Sequence, residues 1–246
     1  MSREHRYEIS AIQSSSLQDN TVCQKLAFRL LHMVKQRKQF AISILEIYVT
    51  KPLYSSLLQE IYPDSNVFLL NINEQKAIKT FFSQQSGKIP KQFDMIVLSP
   101  NCQFHQELFS FLETNLDLLH DEGIIAATFL GSQAFFEMQT CFHWLEETAS
   151  IPYPLPPCSP DYWQHKLSQT NIDMEIVQEV QFRQSYHNSQ SVFHTAALFG
   201  YFQRDLAIFD QQLLHQWMSA YDQGFRNKDG SVYTTFHLVD FIGRII

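Results

Sequence analysis

The polar residues best placed to do chemistry stand at the ends of three short apolar runs. Glu46 lies at the end of ISILEI (42–47), Asn71 at the end of NVFLLNI (66–72), and Ser99, Asn101, Gln103, Phe104 and His105 form the exit from FDMIVLS (93–99). A carboxylate in such a place accepts two hydrogen bonds and can hold a pair of hydroxyls. An asparagine accepts one and donates another, a weaker and less selective arrangement. The exit 99–105 puts a hydroxyl, two amides, an imidazole and an aromatic ring in one turn, a composition suited to the mouth of a substrate site. Polar residues also end strands and open helices for purely structural reasons, and at these positions the two roles are equally compatible with the sequence.

Several other chemistries are excluded. The ten histidines include no HExxH or HxH, and the closest two, His187 and His194, are seven apart, so no metal site is expected. Cys23, Cys102, Cys141 and Cys158 form no CxxC pair and read as reduced thiols. There is no GxSxG elbow and no GxxxxGK[ST] loop, and the first glycine of the chain is Gly87. With 25 acidic against 18 basic side chains, the net charge of −7 supplies no diffuse positive field for nucleic acid. MSREHRYEISAIQSSS (1–16) lacks the basic and apolar regions of a secretory leader, and no apolar run approaches the ~18 residues of a membrane span. A cytoplasmic protein is expected, and the sequence carries no indication of oligomeric state.

What must position the polar residues is an alternation of strands and helices. Val22, Leu26, Leu30 and Met33 mark one face of a helix over 17–38, closed by the basic KQRKQ (35–39). ISILEI follows as the first strand, and Thr50 or Lys51 is expected to cap the next helix, with Pro52 in its first turn and Leu53, Leu57, Leu58 and Ile61 on its buried face. NVFLLNI and FDMIVLS are continuously apolar, as strands buried on both faces of a parallel sheet are. A helix is expected over 74–82, a loop over 86–92, and a helix through Leu108, Leu112, Leu116 and Leu119 that stops at HDEG (120–123) before a strand over 123–130. Another helical stripe, Phe135, Met138, Phe142 and Leu145, leads to the proline-rich IPYPLPPCSP (151–160), and Ser159-Pro160-Asp161 reads as a helix start. Ile172, Met174, Ile176, Val180 and Phe182 alternate as in an edge or half-exposed strand. Helices near 189–202 and 205–226 and a closing strand, GSVYTTFHLVDFIG (230–243), complete the chain. The pattern is α/β, a doubly wound parallel sheet in one domain. Within it, 1–40 is an N-terminal helical segment, 41–150 the core, 151–230 a sixth strand with helical elaboration, and 231–246 the closing strand.

Two blocks carry a family resemblance. QFDMIVLSPNCQFHQELFSFLETNLDLLHDEGIIAATFLGSQAFFEMQ (92–139) and LLHQWMSAYDQGFRNKDGSVYTTFHLVDFIGRII (213–246) are similar to class I S-adenosylmethionine-dependent methyltransferases, and within them to the malonyl-acyl-carrier-protein O-methyltransferases of early biotin synthesis. The resemblance implies a Rossmann-like, mostly parallel seven-stranded sheet with an antiparallel last strand. It also implies S-adenosylmethionine as cofactor, an acyl carrier protein as partner, and methylation of a malonyl carboxylate. On that reading Glu46, Tyr48, Thr50, Asn71, Ser99 and Asn101 face the cofactor, and Gln103, Phe104, His105, Arg183 and Arg204 face the substrate. Lys35, Arg37, Lys38, Lys88 and Lys91 are the clusters from which a basic docking patch could be drawn.

The chain departs from that family where the cofactor should lie. The acidic-x-G-x-G-x-G motif is replaced by Glu46 to Pro52, with Tyr48, Thr50 and Pro52 on the three glycine positions, and HDEG stands where K-P-G-G is usual. Asn71 replaces the aspartate that would hold the ribose. Forcing a side-chain-bearing residue to positive φ costs about 1–2 kcal/mol, and proline cannot reach it. Weakened ribose bonding costs roughly another 1.5–3 kcal/mol. The loop is therefore expected to take another course, with Tyr48 projecting into the cofactor space. A second function follows from these departures: a non-catalytic pseudo-methyltransferase, serving protein interaction or regulation, that no longer binds the cofactor.

Overall fold

The computed structural model describes residues 17–74, 89–149, 159–201 and 211–245. Helix α1 (Leu17–Arg37) is followed by β1 (Ser43–Tyr48), α2 (Ser55–Ile61), β2 (Asn66–Asn71) and β3 (Phe93–Leu98). Then come α3 (Leu108–Asn115), β4 (Leu119–Leu130), α4 (Phe136–Ala149), α5 (Pro160–Ser168), β5 (Ile172–Tyr186), α6 (Ser189–Leu198), α7 (Gln211–Gly224) and β6 (Val232–Ile245). One sheet results, in the order β2-β1-β3-β4-β6-β5. The first four are parallel to one another, and β6 runs antiparallel to both of its neighbours. The α/β sheet and its antiparallel last strand match the sequence reading. Six strands rather than seven lie among the described residues, and the helix expected over 74–82 falls largely outside them.

The sheet is buried on both faces because its central strands are mostly apolar, with a few buried polar side chains such as Glu46, Thr128 and Asp240 among them. On one face Ala27, Leu30, Leu31 and Val34 of α1 pack with Tyr54 and Leu58 over Ile44, Met95, Val97, Ile124, Ala126 and Ile242. Each fully buried leucine or valine there contributes about 1.5–3 kcal/mol. On the other face Phe111, Leu112, Trp163 and Leu167 cover Leu45, Ile47, Ile96, Leu98, Phe129 and Phe241. Residues 232–237 of β6 run past the end of β4 and pair with β5 alone. Phe236 on that overhang is buried with Phe135, Phe142, Phe199, Trp217 and Tyr221, so an aromatic cluster forms at the carboxyl end of the sheet.

Local details correct several expectations. Helix α2 begins at Ser55, so neither Thr50 nor Lys51 caps it and Pro52 precedes it. HDEG is not a helix stop but lies inside β4, where the register with β3 shifts from Phe93↔Leu119 to Met95↔Ile124, and His120, Asp121 and Glu122 bulge into solvent. Ser159 caps α5 as expected, its side chain accepting from the Tyr162 N–H, with Pro160 in the first turn. β5 is an edge strand, also as expected. Among the described residues no helix is long and apolar enough to cross a membrane, and no group of three His, Cys, Asp or Glu could hold a metal.

Candidate functional site

Because β1, β2 and β3 are neighbours, Glu46, Asn71 and Ser99 converge on one carboxyl edge. Glu46 is wholly buried. Its Oε1 accepts from Leu53 N at 2.7 Å, Tyr54 N at 3.0 Å and Ser99 Oγ at 2.5 Å, while Oε2 has no partner. Burial pushes its pKa up, opposed by the bonds from Ser99 and from the Tyr54, Leu53 and Ser55 N–H groups. The carboxylate thus supplies what no residue at the start of α2 supplies: an acceptor for the helix's leading N–H groups.

The loop between β1 and α2 is held from the next strand exit. Asn101, fully buried, accepts from Val49 N at 3.0 Å through Oδ1, and its Nδ2 donates to Lys51 O at 2.9 Å and Thr50 Oγ1 at 3.3 Å. Asn73 Nδ2 donates to Val49 O at 3.2 Å. Asn71 Oδ1 accepts from Asn73 N at 3.0 Å, an Asx turn that starts the 3-10 turn at Ile72–Glu74. Tyr48, half-buried, closes β1 directly opposite Asn71. Apart from glycine, only Phe135 and Asn171 among the described residues have positive φ, so residues 48–54 stay outside the left-handed region.

The exits of β3 and β4 form the other half of the rim. Gln103 Oε1 accepts from Leu130 N at 2.6 Å, and Trp163 Nε1 donates to Leu130 O at 3.4 Å. Phe104 meets Tyr201 edge to face at 6.2 Å, and Tyr201 meets Phe135 at 5.4 Å. Phe135 is fully buried at φ 54°, a strained conformation for a bulky residue. Buried Glu137 in the first turn of α4 fixes it to β6, accepting from Thr235 N at 2.7 Å and Thr235 Oγ1 at 2.6 Å. His105 is half-buried, and desolvation lowers its pKa against the opposing charge of Glu107.

Not every expected site residue joins this rim. Arg183 lies on β5, two strands from β4, with its guanidinium 4.6 Å over the Tyr233 ring. Arg204 and Lys88 lie outside the described residues. Lys35 donates to Gln39 O at 2.6 Å, and Lys38 to Glu122 O at 3.1 Å, at the amino end of the strands, opposite the rim. A buried network went unnoticed in the sequence. Arg29 pairs with Asp240 at 2.6 Å, and Thr128 Oγ1 donates to Asp240 Oδ1 at 2.6 Å, with the phenol of Tyr54 against Thr128. Burial raises the Asp240 pKa, opposed by Arg29 and Thr128. Thr128 and Asp240, single polar residues inside GIIAATFL and FHLVDFIG, were its sequence signal.

Two solved structures superpose on this architecture. A methyltransferase candidate from Bacillus halodurans matches with TM-score 0.50 and 10% identity over 89% of this chain and 97% of its own. The YcgJ protein from Bacillus subtilis matches with TM-score 0.50 and 12% identity over 88% and 97%. The fold is that of the class I methyltransferases. At these identities the likeness concerns fold alone. No protein-family model matches the sequence, and a search of curated proteins finds no relative.

In a methyltransferase fold that binds S-adenosylmethionine, the loop after β1 offers its backbone to the methionyl group. Here the Val49 N–H is taken by Asn101 and the Leu53 and Tyr54 N–H groups by Glu46. The positive φ that glycine would permit is not used. Asn71 spends its carbonyl oxygen on its own turn. These residues do not fit the cofactor in the way the resemblance implies. What holds the loop is the Asn101 clamp.

Proposed function

We propose that this protein is a non-catalytic member of the methyltransferase fold, a binding module that has closed its cofactor side and kept an acceptor-side rim. The observation that carries this reading is the Asn101 clamp, which ties Val49, Thr50 and Lys51 to the β3 exit and uses both the acceptor and the donors of its amide. A loop stabilised by the protein itself has to lose those bonds before it can receive a ligand, so the free energy of binding falls by what the loop gives up.

A second reading has one observation in its favour. Glu46 Oε2 is a buried acceptor without a donor, which a cofactor's ammonium would satisfy, and buried orphan acceptors are uncommon in native proteins. On that reading the chain is a divergent S-adenosylmethionine-dependent enzyme resembling the malonyl-acyl-carrier-protein carboxyl O-methyltransferase, with an acyl carrier protein as partner. The enclosed position of Glu46, together with three bonds on its other oxygen, favours the first reading.

Titration calorimetry and thermal denaturation with S-adenosylmethionine and S-adenosylhomocysteine separate the two. A ligand present at 100 times its Kd stabilises a protein by about 2.7 kcal/mol. For a chain of this length that is a rise in Tm of roughly 5–10 °C. No heat and no shift at millimolar ligand are expected; a saturable heat with a matching shift would establish the enzyme reading instead.

A further inference from the structure

Gln103 carries the least explained polar group on the rim. It lies in the 3-10 turn Pro100–Phe104 and is 5% exposed. Its Oε1 accepts from Leu130 N at 2.6 Å, which settles the orientation of the amide, since the reversed rotamer would set N–H against N–H. Nε2 is left buried, with hydrogens to donate and no acceptor. Such a group calls for a ligand or a bridging molecule.

We propose that Gln103 Nε2 is the recognition donor for the carbonyl oxygen of a neutral acyl ester or thioester held where the chain leaves β3 and β4. The proposal rests on the reading of this rim as the retained ligand side, and its chemistry follows from the neighbours. Phe104, Tyr201 and Phe135 form a continuous aromatic series beside the turn, suited to an acyl chain. Residues 99–105 and Leu130 bring no lysine or arginine, and His105 is held toward its neutral form by partial burial. A carboxylate bound there would exchange its water for one neutral donor, a costly desolvation, whereas an ester carbonyl is satisfied by one good hydrogen bond. An amide would bring an N–H of its own, and the carbonyl of Leu130, the residue that bonds Gln103, already accepts from Trp163. Esters and thioesters carry acceptors only. Phe104 and His105, the next two residues, are only half-buried, so the turn reaches the surface directly after Gln103.

The probes are methyl hexanoate, hexanoate and hexanol, which share a chain and differ in head group. In calorimetry with the full-length protein, the ester is expected to bind about tenfold tighter than the acid or the alcohol, the ratio that one directed hydrogen bond supports. Gln103→Met keeps the side-chain length and removes the donor, so the ester's advantage should disappear. That variant also strips Leu130 N of its acceptor and can compromise folding, so a second measurement uses the unaltered protein. The infrared carbonyl stretch of carbonyl-13C methyl hexanoate should move to lower frequency on binding. An unshifted stretch, equal affinity for the three probes, preference for the acid, or no binding at millimolar concentration each overturns the proposal. Because S-adenosylmethionine is not in the cell, a failure here leaves the closed-cradle reading standing, and binding of that cofactor in the separate titration leaves this result intact.

Discussion

Replacing Asn101 by alanine tests whether the loop after β1 is structural or awaits a ligand. The substitution removes three bonds. Val49 is 5% exposed, so its N–H would be left buried without an acceptor, at about 1–3 kcal/mol. Thr50 and Lys51 are exposed and water replaces Asn101 at their oxygens, so each lost bond there costs at most ~0.5–1 kcal/mol. The sum is about 2–5 kcal/mol, or a fall in Tm of roughly 4–20 °C for a chain of this length. Chemical denaturation gives the free energy directly, with Thr50→Ala as a control that removes a single exposed acceptor and should stay within about 0.5 kcal/mol of wild type. A ligand-contacting asparagine with a slack loop behaves differently: its loss weakens binding and leaves stability nearly unchanged. If Asn101→Ala unfolds within about 0.5 kcal/mol of wild type, the clamp does not hold the loop and the case for a closed cradle fails.

Two further outcomes are expected. Asp240→Ala should destabilise by about 3 kcal/mol, the lower end for a broken buried pair because the Arg29 side chain is 25% exposed, and adding Arg29→Met should recover part of the loss in a double-mutant cycle of denaturation energies. The second concerns pH: burial raises the pKa of Glu46 above 4.5 in the folded state, so its contribution is fully present below that value and is lost as pH rises through the folded pKa. The stability of wild type relative to Glu46→Gln, measured from acid to neutral pH, should therefore decline as pH rises; a flat or rising difference would contradict the assignment.

The short apolar runs made β1 and β3 legible, because a strand buried on both faces has few polar positions to blur it, and β-branched and aromatic content marked the closing strand. The apolar run at 66–72 did mark a strand, but β2 is the edge of the sheet and is exposed at Asn66 and Leu69 rather than buried on both faces. The alternation in 172–182 likewise gave away the edge strand β5. HDEG misled because three consecutive polar residues before a glycine look like a turn, and only pairing with β3 shows that Leu119 belongs to the sheet and the polar residues to a bulge. The start of α2 failed for a related reason. Capping rules look for a polar residue beside the first turn, whereas the acceptor here is Glu46, inside the preceding strand and reached only after the loop folds back. The polar residues of the rim were visible as residues, but their roles depend on distances that no spacing in the sequence encodes.

The two halves of that rim differ in how their buried polar groups are satisfied, and this difference bears on function more than the missing glycines do. Toward β1 and β2, Asn71, Asn73, Ser99 and Asn101 all bond within the protein, leaving Glu46 Oε2 and, at the end of the loop, the Tyr54 hydroxyl without a hydrogen-bond partner. Toward β3 and β4, the side chain of Gln103 keeps an unspent donor on the same rim as a strained, fully buried Phe135. An unpaired buried donor costs stability in the free protein, so substitutions that pair or remove it are favoured unless a ligand supplies the acceptor. A half that has lost its ligand should drift toward internal pairing, as the loop at 49–54 has done. A half that still receives one should keep its orphan. Measured together, cofactor and ester titrations read the halves separately: ester alone fits the closed cradle with a live acceptor side, and both together would mean that Glu46 Oε2, not the loop backbone, is the anchor the cofactor uses.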